Sequence, residues 1–181
     1  YGANHVIFVG GASNTINYSG LPVVEANKRA YGLGINIGNI TIPNRKNEAT
    51  RLINKTKSGC SFFTTQILFD AKDICRLLTE YDAECTKKSL APSEMFLCFS
   101  PLSDSLDLDY VKWLGAIVPK EAEEKLKQDY PKKSVELAVG IWKEILSYSE
   151  ENGLRVPLSL NLEPISLHNL IHSKELLELI S

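Results

Sequence analysis

The sequence predicts an α/β protein built on a parallel sheet, and three observations carry that prediction. Five short runs rich in apolar and β-branched residues recur along the chain. Each is followed by a segment with apolar residues spaced at three and four, the period of a helix face. The clearest run, Gly59 to Asp70, carries no formal charge before Asp70, as expected of a strand covered on both sides. Strand–helix alternation of this kind implies right-handed crossovers. It fits either an open doubly wound layer or part of a barrel, and the pattern alone does not separate them.

The first strand is His5-Val6-Ile7-Phe8-Val9, ending at Gly10 and Gly11. Two glycines after a strand suit either a plain turn or a turn that closes on a ligand. Gly32, Gly34 and Gly38 have the wrong spacing for a dinucleotide fingerprint. Leu21 to Tyr31 reads as a helix with Pro22 in its first turn. Ile35 to Ile42 alternates as a strand. Asn47 to Ser58 is a helix whose last turn carries Lys55 and Lys57, with Gly59 as its stop.

The run Gly59 to Asp70 is then read as one buried strand. Its amide, Gln66, is either tied up within the protein or faces a ligand, because an unpaired buried amide is costly. Ala71 to Thr86 is a helix with Asp70 as its N-cap and Ile74, Cys75, Leu78 and Tyr81 inward. Met95 to Phe99 is the fourth strand, stopped by Ser100-Pro101. Two short helices follow, Leu106 to Leu114 and Pro119 to Gln128. A long amphipathic helix spans Ser134 to Glu151, a fifth strand Val156 to Leu162, and a closing helix Leu167 to Ile180.

Composition narrows the function. The 181 residues carry a net charge of -2, so no basic field draws nucleic acid or an anionic membrane. No apolar run approaches the roughly 20 residues of a membrane span. Cys60, Cys75, Cys85 and Cys98 lack metal-type pairing and read as free buried thiols, which fit a reducing cytoplasm. His168 and His172 stand four apart on the last helix, but no third ligand accompanies them, and no metal site is expected. The chain starts without Met and almost at once in a strand, which suggests that it begins inside a longer fold.

Several pieces, taken in order, resemble the methylenetetrahydrofolate reductase family. They are His5 to Gly11, then Ile40-Thr41-Ile42-Pro43 through Glu48, then Lys55. The run Gly59-Cys60-Ser61-Phe62-Phe63-Thr64-Thr65-Gln66-Ile67-Leu68-Phe69-Asp70 follows, and then Phe96 to Leu102. Last come Leu114-Gly115-Ala116-Ile117-Val118-Pro119 and Leu158-Ser159-Leu160-Asn161. The family fold is a (β/α)8 TIM barrel. The resemblance makes this chain its strands four to eight with their helices. Residues 1–181 would then be one domain, the C-terminal portion of such a barrel, completed by a missing N-terminal segment or by another copy.

The resemblance implies a cytoplasmic oxidoreductase of one-carbon metabolism and methionine biosynthesis. It would transfer a hydride from NAD(P)H to 5,10-methylenetetrahydrofolate, with FAD as a possible intermediary. The alternative is a non-catalytic barrel serving as a subunit or ligand-binding module. The resemblance places the active site at the C-terminal strand ends, with Gly10, Gly11, Asn39, Thr41, Gln66, Ser100 and Glu163 around one mouth. It implies folate contacts at Gln66, Thr65, Glu163 and Asn161, and cofactor contacts at Gly10, Gly11, Thr41 and Lys55. No catalytic residue follows, because the family's catalytic Glu lies on a first strand that this sequence lacks. Three positions depart from the flavin-binding pattern: Ala12 replaces an acid, Lys46 a His, and Leu162 an Arg.

Overall fold

The structure, a computed structural model, describes residues 2–10 and 19–180. Gly11 and Ala12 lie outside the described residues. The strands are β1 (His5–Phe8), β2 (Asn36–Thr41), β3 (Cys60–Thr65), β4 (Glu94–Phe99) and β5 (Leu158–Leu162). The helices are α1 (Val23–Tyr31), α2 (Glu48–Lys57), α3 (Lys72–Lys87), α4 (Ser105–Trp113), α5 (Lys120–Leu126), α6 (Tyr130–Glu151) and α7 (Leu170–Ile180). A 3-10 turn, Leu167–Asn169, leads into α7.

All neighbouring strands pair in parallel, and their spatial order is β1-β2-β3-β4-β5, the order of the chain. A doubly wound sheet reverses direction part-way, so this order excludes it. Right-handed crossovers that never reverse put the helices on one side. One strand face accordingly meets the helix layer. Phe63 packs edge-on against Tyr81 of α3, and Phe99 edge-on against Trp142 of α6. Leu52, Ile74, Leu78, Met95, Leu97 and Ile145 fill the core between them.

The opposite face is curled inward. Asn161 Nδ2 on β5 lies 3.3 Å from Thr64 Oγ1 on β3, although β4 runs between them. In a flat sheet those residues would stand about 10 Å apart, more than the two short side chains can span. The small side chain of Cys98 on β4 lies between, with Thr64 Oγ1 at 2.8 Å and Asn161 Nδ2 at 3.2 Å. Side chains of alternate strands meeting in a layer are the packing rule of barrel interiors. Lower on this face the Phe62 ring lies over β2, where a Cβ on Gly38 would come within 2.2 Å of it. That is the role of Gly38.

Several sequence boundaries move. The run read as one strand from Gly59 to Asp70 leaves the sheet after Thr65. It peels off gradually: Gln66 N still donates to Thr41 O, and Leu68 N to Cys98 O. Ile67 and Phe69 then join a second cluster above the strand ends, with Leu102, Leu108, Val111 and Leu126. The run is apolar throughout because it passes from one core into another. Asp70 does bond the first turn of α3, at Lys72 N, but the cap position itself is Ala71. The long helix α6 starts at Tyr130, a turn before Ser134, because Asp129 accepts from Lys132 N and Pro131 suits a first turn. Pro22 and Pro119 sit at the cap positions of α1 and α5 rather than inside them. The fifth strand begins at Leu158, preceded by Pro157, whose carbonyl accepts from Met95 N.

Candidate functional site

The C-terminal strand ends carry a polar cluster on the curled face. Its centre is Glu163, one residue past β5. Glu163 N donates to Phe99 O, which fixes the loop against β4. Its Oε1 accepts from Asn161 Nδ2 at 2.7 Å and from Cys98 Sγ at 3.3 Å. Burial, and next the charge of Glu163, push the Cys98 thiol up to about 11. At neutral pH the thiol therefore keeps its proton and serves as a donor to the carboxylate. Among the described residues Glu163 makes no ion pair.

Ser100 stands opposite. Register pairs Phe99 with Leu162, so Ser100 and Glu163 are the next residues of adjacent strands. Ser100 follows the parity of Phe96 and Cys98 on the curled face. It is 5% exposed, and its Oγ has no hydrogen-bond partner. A buried hydroxyl left unpaired costs on the order of 1–3 kcal/mol, which marks it as a group suited to a ligand.

Two loops hold this corner. Asn169, fully buried, donates through Nδ2 to Ser103 Oγ and Asp107 Oδ2, both at 2.8 Å. Its Oδ1 accepts from Ser166 N and Ser166 Oγ. Ser103 N also donates to Asp107 Oδ2. The β4–α4 loop and the β5–α7 loop are thereby tied together. The sequence reading missed this knot; its trace was the capping spacing Ser166-x-x-Asn169.

Other predicted site residues fall elsewhere. Gln66 is half-exposed at the rim, where its Nε2 donates to Leu114 O at 2.8 Å and its Oε1 accepts from its neighbour Ile67 N. It borders a small cleft with Pro43, Asn44, Phe69, Gly115 and Ile117. Thr65, Asn39 and Thr41 are corrections: strand alternation turns all three to the helix side. Thr65 Oγ1 accepts from Cys98 N, in place of a backbone rung at the end of β3. Asn39 pairs with Asn27 of α1. Thr41 Oγ1 donates to Glu48 Oε1, a carboxylate that is 1% exposed. Its Oε2 has Arg45 and Arg51 nitrogens at 3.7 and 3.9 Å.

Lys55 does not point to open solvent as a helix-end cation would. Its Nζ donates to Ile40 O at 2.7 Å, and burial lowers its pKa. Thr41 and Lys55, two of the four positions expected to contact a cofactor, thus spend their polar groups within the protein. Gly10 is exposed beyond β1, and a Cβ there would make only ordinary contact with Val23. Gly11 and Ala12 are outside the described residues. His168 is exposed in the 3-10 turn, and His172 faces Glu175 at 3.7 Å.

The chain matches no family model and no curated protein. Among solved structures it superposes on an uncharacterized protein from Clostridium thermocellum that binds two copies of 5-methyl-5,6,7,8-tetrahydrofolic acid. The TM-score is 0.79 and the identity 26%, over 96% of this chain and 61% of that one. The chain therefore spans about three fifths of its neighbour's length. A dihydrodipicolinate synthase from Oceanobacillus iheyensis aligns over 86% of this chain and 78% of its own, at a TM-score of 0.27 and 11% identity, too low to carry an argument. What the chain shares with the first of these is its α/β fold.

Proposed function

We propose that this chain binds a reduced folate at the C-terminal ends of β3, β4 and β5. The observation that carries the reading is the likeness, over nearly the whole chain, to a protein that binds 5-methyltetrahydrofolate. The order of the motifs shared with methylenetetrahydrofolate reductases and the polar cluster around Glu163 support it. In this reading residues 1–181 are one domain, five units of an eight-stranded barrel, and further polypeptide closes the curled sheet. Among the described residues β1 and β5 are the edges of the sheet, and those edges are where it would add.

The finer reading is a cytoplasmic reductase. A hydride from NAD(P)H would add to the methylene carbon of 5,10-methylenetetrahydrofolate as its bond to N10 breaks and N10 takes a proton from water, giving the methyl group of 5-methyltetrahydrofolate and NAD(P)+. Because Thr41 and Lys55 are engaged within the protein, no step is routed through FAD. Gln66, Asn161 and Glu163 remain the residues nearest such a substrate. A second reading, a folate-binding module without catalysis, is favoured by the same engaged Thr41 and Lys55.

Calorimetry with 5-methyltetrahydrofolate on the full-length protein tests the binding. Saturable heat at micromolar ligand is expected, and its absence would overturn the folate reading. Oxidation of NADH or NADPH with 5,10-methylenetetrahydrofolate then separates the two readings. Binding without oxidation leaves the module.

A further inference from the structure

Three features of the Glu163 corner are not explained by fold stability. A carboxylate stands at a barrel-type mouth with one oxygen held by an amide and a thiol, and with no cation beside it among the described residues. An orphaned, buried hydroxyl, Ser100 Oγ, sits one residue past the end of the neighbouring strand β4. The two loops that carry them are locked by Asn169. A site held this firmly is preorganised for a ligand that offers hydrogen-bond donors to the carboxylate.

A reduced folate offers three parts. The glutamate tail is anionic and would be repelled by Glu163. The aminobenzoyl ring has no donor pair. The pterin edge has one, the 2-amino group and the adjacent N3–H, which can converge on a single carboxylate oxygen. We propose that Glu163 anchors the bound pterin by accepting from its 2-amino group and N3–H at Oε2, the oxygen that Asn161 and Cys98 leave open, with Ser100 Oγ bonding the same ring. The assignment rests on the folate reading above. It gives the pterin-reading acid to the end of β5, while the position after β1 where the resembling family carries an acid is Ala12.

The test compares two ligands and two proteins by calorimetry. The ligands are 5-methyltetrahydrofolate and its analogue with a methyl group in place of the 2-amino group. The proteins are the full-length protein and its Glu163→Gln variant. The unmodified protein should prefer the amino ligand about ten- to a hundredfold, the range for a hydrogen bond to a charged group. Glu163→Gln should bind 5-methyltetrahydrofolate weaker by a similar factor and discriminate between the ligands by less than about threefold. Equal binding of both ligands by the unmodified protein overturns the assignment whether or not the variant folds. So does an unchanged preference in Glu163→Gln, and in both cases folate binding itself stands. No binding of 5-methyltetrahydrofolate to the unmodified protein overturns the assignment and the folate reading together.

Discussion

The two faces of one sheet serve different ends. On the helix side β3 and β4 present Phe63, Met95, Leu97 and Phe99, all buried to within 1% of full burial. On the curled side the same strands present Thr64, Cys98 and, beyond the last rung, Ser100. The first face contributes free energy by removing apolar surface from water. The second gains little that way and instead fixes polar atoms in place. Alternation along a strand lets five or six residues serve both ends at once.

Phe63→Ala probes the first face. The ring is fully buried and touches Tyr81, so its loss should cost about 3–5 kcal/mol in urea unfolding. A loss under about 1 kcal/mol would mean that the helix side is not the main core. Asn169→Ala probes the ties of the second face. It leaves Asp107 and Ser103 short of a donor and should cost roughly 2–3 kcal/mol. It should also speed amide exchange in the β4–α4 and β5–α7 loops together, whereas exchange in only one of them would refute the knot.

Alkaline pH sharpens the contrast, because buried thiols lie on both faces. Burial pushes Cys60 up to about 12, and Cys75 and Cys98 each up to about 11. The unfolded chain ionises these thiols near pH 9 while the folded one keeps them protonated. Their contribution is therefore complete below pH 9 and is lost as pH rises through 11 to 12. The slope approaches about 1.4 kcal/mol per pH unit for each thiol. Denaturant midpoints measured from pH 8 to 11 should fall accordingly, and fall less steeply in Cys98→Ala. A flat profile would show that the thiols ionise normally.

The smallest effect belongs to the rim. Gln66→Ala removes one half-exposed bond to Leu114 O and should cost under about 1 kcal/mol. Its diagnostic is affinity for 5-methyltetrahydrofolate. A drop beyond tenfold gives Gln66 a ligand role in addition to its bond with the α4–α5 loop, and an unchanged affinity leaves it structural.

The five strands and their helices were legible in sequence because period and run length report burial, and burial is what strands and helices share with composition. Run length failed where Ile67 and Phe69 change cores without changing character. Parity failed for Thr41 and Thr65: sequence puts both at the strand ends, but only the sheet register decides which way each side chain turns. Glu163 was legible as a mouth residue through its place just past the last strand, and Asn161 only through the family resemblance. Cys98 was not, since in sequence it is one small apolar residue among others. Its role depends on three strands meeting.

That meeting has a geometric consequence. Thr64 and Asn161 can touch only because the residue between them on β4 is small. Position 98 therefore acts as the wedge of an arch. A bulkier side chain there would spread β3 from β5 and flatten the arc. The width of the opening under Glu163 and Ser100 is set by the volume of one thiol.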